Sequence, residues 1–440
     1  MTIIQQITLA DGNPKRSKQR AMSARSPDPL TAAIHMNENW MRAIQAMPGE
    51  IDVIDMFSGC GGMSTGFLSI NGHVPLFRLA GAVDIDEVAN RTYELNLGVK
   101  PVSVDIAELA QSDDLLNKTF GKFRTDPKRP LVLIGCAPCQ GFSSHRNEAG
   151  SADPRNSLYV DFARIAVKLR PAAIVVENVP ELLTDRYWPF VSLAREILEE
   201  AGYYVHVGVH NMAEFGVPQE RFRALMLALP KKFNPPKSLL NRSEFRSVRD
   251  AIGHLPPVTA GQRHPSDPMH YSAGHKASTI ETIMAVPPNG GSRPDHVGPA
   301  CLRRAKERNG RAVYEDVYGR LFWDRPAITI TAYARNPASG RYVHPEQHRG
   351  LSVREAALLQ SFPDTYQFTG SLDERFRQIG NAVPPAFAAS LAAHLACELE
   401  STTSPTNFDP GITSPVGPSF SRLIPALKAG HRKGFSTPDV

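Results

Sequence analysis

Cysteine is scarce in this chain: Cys60, Cys136, Cys139, Cys301 and Cys397 are the only five among 440 residues. An odd, scattered set cannot build a disulfide framework, which points to a reducing compartment. A strong excess of one charge sign is lacking too, and the basic excess is mild. Lys and Arg number 49 against 44 Asp and Glu, a net +5, which permits a nucleic-acid partner without establishing one. No apolar run approaches the roughly 18–20 residues of a membrane span. The opening stretch has no long apolar core behind a basic start, so a secretory leader is not expected. What remains is an ordinary globular composition, 42% apolar and 21% charged. The chain is long enough for one large domain and a smaller one. The expectation is a soluble, cytoplasmic monomer with no membrane partner.

Residues 1–48 read as a flexible basic arm, with the cluster K-R-S-K-Q-R at 15–20 and an amphipathic stretch near Ala32–Met47. A DNA-contacting role for this arm is an alternative to simple mobility. Apolar runs at Val53–Phe57, Ala80–Val83, Pro101–Val104, Leu131–Gly135, Ala173–Glu177, Tyr204–Val209 and Arg223–Leu229 read as strands. Helical spacing covers Glu87–Leu95, Leu158–Leu169 and Val191–Ala201, the last closed by Gly202. Such alternation predicts an α/β fold: a mainly parallel, doubly wound sheet covered on both faces, with ligands at the carboxyl ends of its strands. This catalytic unit is expected over 49–229. Residues 230–350 are irregular and rich in Pro, Gly, His and Arg, and read as a smaller second domain. Residues 351–400 return to the first, ending in an apolar helix, Pro385–Leu399. The Ser-, Thr-, Pro- and Gly-rich stretch 401–440 reads as a weakly ordered tail.

The run D-M-F-S-G-C-G-G (Asp55–Gly62) joins a strand to a helix. Its glycines allow a sharp turn and close approach of a ligand. Ser64 stands where the dinucleotide fingerprint has its third glycine, so the phosphate-binding logic is incomplete. Asp84 and Asp105 end the next two candidate strands, placed to accept from ribose hydroxyls and an adenine amino group. An adenosyl ligand without phosphates fits this set. An ordinary tight turn with surface acids would fit it too.

The following strand ends in G-C-A-P-C-Q-G-F-S (Gly135–Ser143), a C-x-x-C arrangement. A redox pair lacks a thioredoxin-like context, and a zinc site lacks two further ligands, so no metal is expected. A nucleophile is the third reading: Cys139 follows Pro138 in a polar loop, near Arg155 or Arg221 as a source of thiolate-stabilising charge. Cys136 suits packing better. Glu177 ends an apolar strand, where a carboxylate needs a partner or a task, such as that of an acid. Gln219, Arg221 and Arg223 alternate, so they share a face and suit an anionic or carbonyl-bearing ligand. Glu177 as a turn cap and Gln219–Arg223 as a solvated edge are the plainer alternatives.

In this order, and with R-E-A-A-L-L-Q-S-F-P-D (Arg354–Asp364) and Q-I-G-N-A-V-P (Gln378–Pro384), the motifs resemble the cytosine-C5 DNA methyltransferase family of bacterial restriction-modification systems. The similarity covers about residues 50–229 and 350–396. It implies a Rossmann-like methyltransferase sheet with a small, irregular target-recognition domain at 230–350. The stretches R-P-A-I-T-I-T (Arg325–Thr331) and R-Y-V-H-P-E-Q-H-R (Arg341–Arg349) look like a subgroup's version of that domain's end. The resemblance implies Cys139 as nucleophile, with Glu177, Arg221 and Arg223 holding a flipped cytosine of duplex DNA, and the loop Gly141–Arg155 closing over it. S-adenosylmethionine would lie against Phe57, Gly59, Cys60, Gly62, Asp84, Ile85, Asp105, Ile106, Pro138, Leu158, Asn381 and Val383. Ile85 departs from the aromatic that many members carry, which implies weaker adenine stacking. A cognate restriction endonuclease is implied as a functional partner. The alternative is an RNA cytosine-5 methyltransferase of the same architecture, whose tRNA-acting branch has a reduced recognition region.

Overall fold

Six of the seven apolar runs become strands of one sheet. The computed structural model describes residues 27–46, 48–124, 126–138, 157–303 and 316–419. Strands β1 (Ile51–Met56), β2 (Phe77–Val83), β3 (Leu131–Gly135), β4 (Ala173–Asn178), β5 (Tyr204–Asn211) and β6 (Phe222–Leu229) lie in the order β2-β1-β3-β4-β6-β5. The first four are parallel, and β6 runs antiparallel to both β4 and β5. This is the expected doubly wound α/β sheet. The seventh run, Pro101–Val104, contributes only a bridge between Val83 and Val102 beside the end of β2.

Each strand is apolar on both sides because each face is covered. Val53, Val132, Ile134, Val175, Leu225 and Leu227 face one cluster, while Ile54, Leu133, Ile174, Val176 and Met226 face the other. The segments that cover them begin with α1 (Pro29–Ile34), α2 (Met36–Ala43), α3 (Gly62–Ser69), α4 (Glu87–Leu97) and α5 (Ile106–Gln111). They continue with α6 (Asp113–Phe123), α7 (Leu158–Leu169) and α8 (Trp188–Glu200). After the sheet come α9 (Val248–Ile252), α10 (Ala277–Met284), α11 (Val353–Leu359), α12 (Leu372–Asn381) and α13 (Pro385–Glu400). The alanine-rich α13 lies so close to α3 that a Cβ on Gly66 would stand 2.4 Å from the Pro385 carbonyl. The stretch Leu372–Glu400 does have the length and apolarity of a membrane span, against expectation. Its most apolar window is 83% buried inside the protein, as a core helix would be.

Two segments expected to lie loose are packed where described. Asp28 caps α1 through Leu30 N and Thr31 N, Ala32 and Ala33 are buried, and Trp40 packs against Tyr366. Residues 401–419 fold back on the sheet domain: around Gly411 they bridge β5, where Ile412 N donates to Val207 O at 2.8 Å, and further on Val416 N donates to Leu183 O at 3.0 Å. Phe408 packs between Tyr204 and Phe233. The physical reason is that β5 is an edge strand, whose unpaired backbone groups need a cover.

Among the described residues, 230–350 are largely irregular, as their composition predicts, with two short helices, α9 and α10, and the short strand pair β7 (Arg263–His264) and β8 (Asp267–Tyr271). Their apolar side chains divide. Met269, Leu321, Trp323, Ala327 and Ile330 join the core of the sheet, whereas Ile283, Val286, Tyr318 and Val343 form a small separate cluster. Buried arginines replace regular structure. Arg320 donates to the carbonyls of Ile283, Val286, His344 and Gln347. Arg349 grips Glu355 of α11 through two hydrogen bonds of 2.7 and 2.6 Å.

Removing one partner of such a buried pair strands the other charge, so Glu355→Ala should cost about 3–5 kcal/mol in urea unfolding. Acid should act through the same core. Burial opposes ionisation of Glu355, but Arg349 outweighs it and holds the carboxyl down to about 2. The stability it contributes is complete above its ordinary 4.5 and is lost as pH falls towards 2. Burial pulls His210 from 6.5 down to about 3, so below 6.5 the unfolded chain takes a proton that the native chain refuses. Both signs agree: the urea midpoint should fall steadily from pH 6.5 towards pH 3, and His210→Phe should flatten the upper part of that decline.

Candidate active site

The glycine turn leaves β1 through two left-handed residues, Phe57 (φ 56°) and Gly59 (φ 52°), before Gly61 (φ 88°) opens α3. For a bulky side chain this conformation is strained by on the order of 1–3 kcal/mol and is found mainly where function requires it. Ser58 N donates to Val83 O at 3.1 Å, which fastens the turn to β2. Asp84 then receives Gly59 N at 2.7 Å on one oxygen and Asp86 N at 2.8 Å on the other. Burial raises its pKa, partly offset by these amides. Each oxygen keeps a lone pair for a hydroxyl donor. Among the described residues, a Cβ placed on Gly59 would meet nothing within 4 Å, so the turn borders open space beside Asp84.

The helix end, by contrast, is closed. A Cβ on Gly62 would stand 2.3 Å from the Val383 carbonyl, so the returning chain covers the site where a dinucleotide fold places phosphate. Val383 is buried and Asn381 exposed. Cys60 is buried, its thiol 3.5 Å from the Gln378 carbonyl and pushed up by burial, while its own carbonyl accepts from Tyr366. Cys60, Gly62 and Val383 therefore form the back wall of the turn. Ile85, next to Asp84, is 68% exposed, and Pro138 and Leu158 are half-buried. Asp105 caps α5 through Ala107 N at 2.8 Å, with Ile106 buried behind it. Sequence reasoning passed over Asp55. It is buried on β1, accepts from Ser64 at 2.5 Å, and is pushed up to about 7 chiefly by burial, with Asp84 adding to the effect. The signal was an acid interrupting the apolar run I-D-V-I-D-M (Ile51–Met56).

Two strands along from β1, the carboxyl end of β4 carries Glu177, 2% exposed. Its register opposite Leu225 puts Arg223, two residues before Leu225, on the same face. Arg223 Nε lies 3.0 Å from Glu177 Oε1, and its Nη1 donates to the Phe222 carbonyl. On the other side, Cys136 Sγ stands 2.9 Å from Glu177 Oε2. The reading of Cys136 as packing is therefore incomplete. Asn178 was also missed: its side-chain amide donates to Ala137 O at 3.2 Å, which anchors the start of the cysteine loop. Cys139 and the loop Gly141–Arg155 lie outside the described residues.

The alternating set Gln219, Arg221 and Arg223 divides its partners instead of sharing one. Gln219 bonds to Leu359 O, Gln360 and Ile330 N. Arg221, fully buried, donates to the carbonyls of Ile330, Gly380 and Ala382. These are the contacts of a staple, because the chain before β6 is buried under returning segments whose carbonyls need donors. Only Arg223 is shown beside Glu177.

A mostly parallel six-stranded sheet with a glycine turn, and with a buried glutamate paired to an arginine at its carboxyl edge, is a Rossmann-like ligand-binding architecture. Residues 51–397 match the family model of the C-5 cytosine-specific DNA methylases. The chain belongs to this family and is a DNA (cytosine-5-)-methyltransferase. It is similar to the Type II methylase M.HgiDII of Herpetosiphon aurantiacus, 33% identical over 79% of this chain and 96% of that one. The Type II methyltransferase M1.HphI of Haemophilus parahaemolyticus is 35% identical over 77% of this chain and 85% of its own. Among solved structures, a protein described as a prophage-encoded DNA modification methyltransferase of E. coli aligns with TM-score 0.56 and 25% identity. That alignment covers 80% of this chain and all of the other.

The two glycines should respond differently to substitution. Gly62→Ala drives a Cβ into a backbone carbonyl and should lower stability by about 1–3 kcal/mol. Gly59→Ala meets no atom and carries only left-handed strain, roughly 1–2 kcal/mol. Only Gly62→Ala should also lose the return-segment contact. Limited proteolysis near Val383 checks this.

Proposed function

We propose that the enzyme methylates C5 of a cytosine in a specific duplex sequence, with S-adenosylmethionine as donor and Cys139 as nucleophile. The observation that carries this reading is the buried Glu177–Arg223 pair beside the strand that leads through Pro138 to Cys139. The open space at Gly59, the free lone pairs of Asp84 and the exposed Ile85 fit a nucleoside, while the covered helix end fits one without a diphosphate. Phe57, Gly59, Asp84, Ile85, Asp105, Ile106, Pro138, Leu158 and Asn381 would hold the cofactor, backed by Cys60, Gly62 and Val383. When bound, it supplies an electrophilic methyl sulfonium.

C5 of cytosine is a weak nucleophile. Addition of the Cys139 thiolate to C6 moves the ring's π electrons towards C5, which can then take the methyl group. Glu177, at N3, would favour this by donating or sharing a proton there, and Arg223 would polarise the O2 carbonyl. Loss of the C5 proton to a solvent base restores the C5–C6 double bond and expels the thiolate. The ring is inaccessible in a stacked duplex, so the base must flip out at a cost of a few kcal/mol. Arginines of residues 230–350 would supply phosphate contacts and make binding strongly salt-dependent.

Both relatives named above are Type II enzymes, which supports a protective role beside a cognate nuclease. We place the enzyme in the cytoplasm, as a monomer. Duplex DNA rather than tRNA is the favoured substrate because residues 230–350 form a large insertion. Cys139→Ser should abolish methyl transfer to unmethylated genomic DNA while leaving DNA binding measurable, and the wild type should be trapped on 5-fluorocytosine DNA. Wild-type turnover by the mutant would remove the covalent mechanism. Methyl transfer to tRNA exceeding that to duplex DNA would reverse the substrate assignment.

A further inference from the structure

The carboxylate of Glu177 is gripped from two sides by groups of different kinds. Arg223 Nε lies 3.0 Å from Oε1 as an ion pair, without a hydrogen bond to that oxygen, and its guanidinium is fixed by its bond to the Phe222 carbonyl. Cys136 Sγ holds Oε2 at 2.9 Å. Cys136 is half-buried, immediately past the end of β3, and its neighbour Ala137 is pinned to Asn178 on β4. The thiol therefore approaches Glu177 from a backbone that has little freedom to move. A side chain that only filled space would not bring its single polar atom to a buried carboxylate.

We infer that Cys136 is a positioning residue: its thiol presets the Glu177 carboxyl group for the incoming cytosine. Glutamate has three rotatable bonds, and ordering them only when the base arrives would draw on binding free energy. With Arg223 on one oxygen and Cys136 on the other, the carboxyl plane is set beforehand, as preorganised sites require. The thiol is a weak donor, so it fixes direction yet yields Oε2 readily to a base edge. A hydroxyl in its place keeps the donor, and a methyl group removes it. No bond is made or broken at sulfur.

This inference rests on the role proposed for Glu177, and the test separates the two. The full-length wild type, Cys136→Ala, Cys136→Ser, Glu177→Ala and the Cys136→Ala/Glu177→Ala double variant are compared in single-turnover methyl transfer. The substrate is unmethylated genomic DNA, the donor is labelled S-adenosylmethionine, and DNA affinity and melting temperature are measured alongside. Cys136→Ala should transfer about tenfold more slowly at unchanged DNA affinity and melting temperature. Cys136→Ser should recover most of the rate, and the double variant should be no slower than Glu177→Ala alone. A wild-type rate for Cys136→Ala beside a crippled Glu177→Ala overturns the inference and leaves the role of Glu177 standing. Equal losses in Cys136→Ala and Cys136→Ser also overturn it, since they mark packing alone. A wild-type rate for Glu177→Ala removes both.

Discussion

Arg221 ties this molecule together. Its guanidinium is buried, and its two terminal nitrogens donate to the carbonyls of Ile330, Gly380 and Ala382. Those carbonyls belong to the end of the irregular region and to the segment that returns to the sheet. A buried cation with lost partners costs several kcal/mol, so the three segments hold or fail together. Gln219 reinforces the joint by bonding Ile330 N with its carbonyl and Leu359 O and Gln360 with its amide. Gly380 allows the closeness required, since a Cβ there would stand 2.2 Å from Ala332 N.

The rest of the site follows from that joint. The returning segment brings Val383 against Gly62, closes the helix end, and leaves Gly59 and Asp84 as the open part of the turn. The same sheet edge, two strands along, displays Glu177 with Arg223 and Cys136. A nucleoside cradle and a polar base-facing cluster thus share one edge because β1, β3 and β4 are parallel neighbours whose carboxyl ends all point the same way. Burial gives the acids around this edge their character. Asp55 is raised to about 7, chiefly by burial with Asp84 adding to it, and Asp84 is raised by burial and by the neighbouring Asp86. Glu355, deeper in the core, is held low by its own arginine.

Most of the sheet was legible in the residue pattern. Strand β3 and helix α7 fall on the expected positions, and the other strands differ by one to three residues at their ends. Periodicity reports burial directly, and here both faces are buried. The run Pro101–Val104 misled because apolar residues also line a single bridge. The tail misled because composition measures how much a segment can bury by itself. It says nothing of an edge strand waiting for backbone partners, which residues 410–412 supply to β5.

The sequence alone determined the residue types of the site and their order. The glycine turn, the strand-end acids, the cysteine after Pro138 and the arginine strand are local facts, each tied to its place on a strand or loop. Tertiary structure decided which of these meet. Arg221 and Arg223 look equivalent in Q-E-R-F-R (Gln219–Arg223), yet one staples the fold and the other faces Glu177. Cys136 looked like filler until β3 and β4 set it against a carboxylate 41 residues away in the chain. Those outcomes depend on contacts between distant segments, and a linear pattern carries no term for what will cover a side chain once the chain has returned.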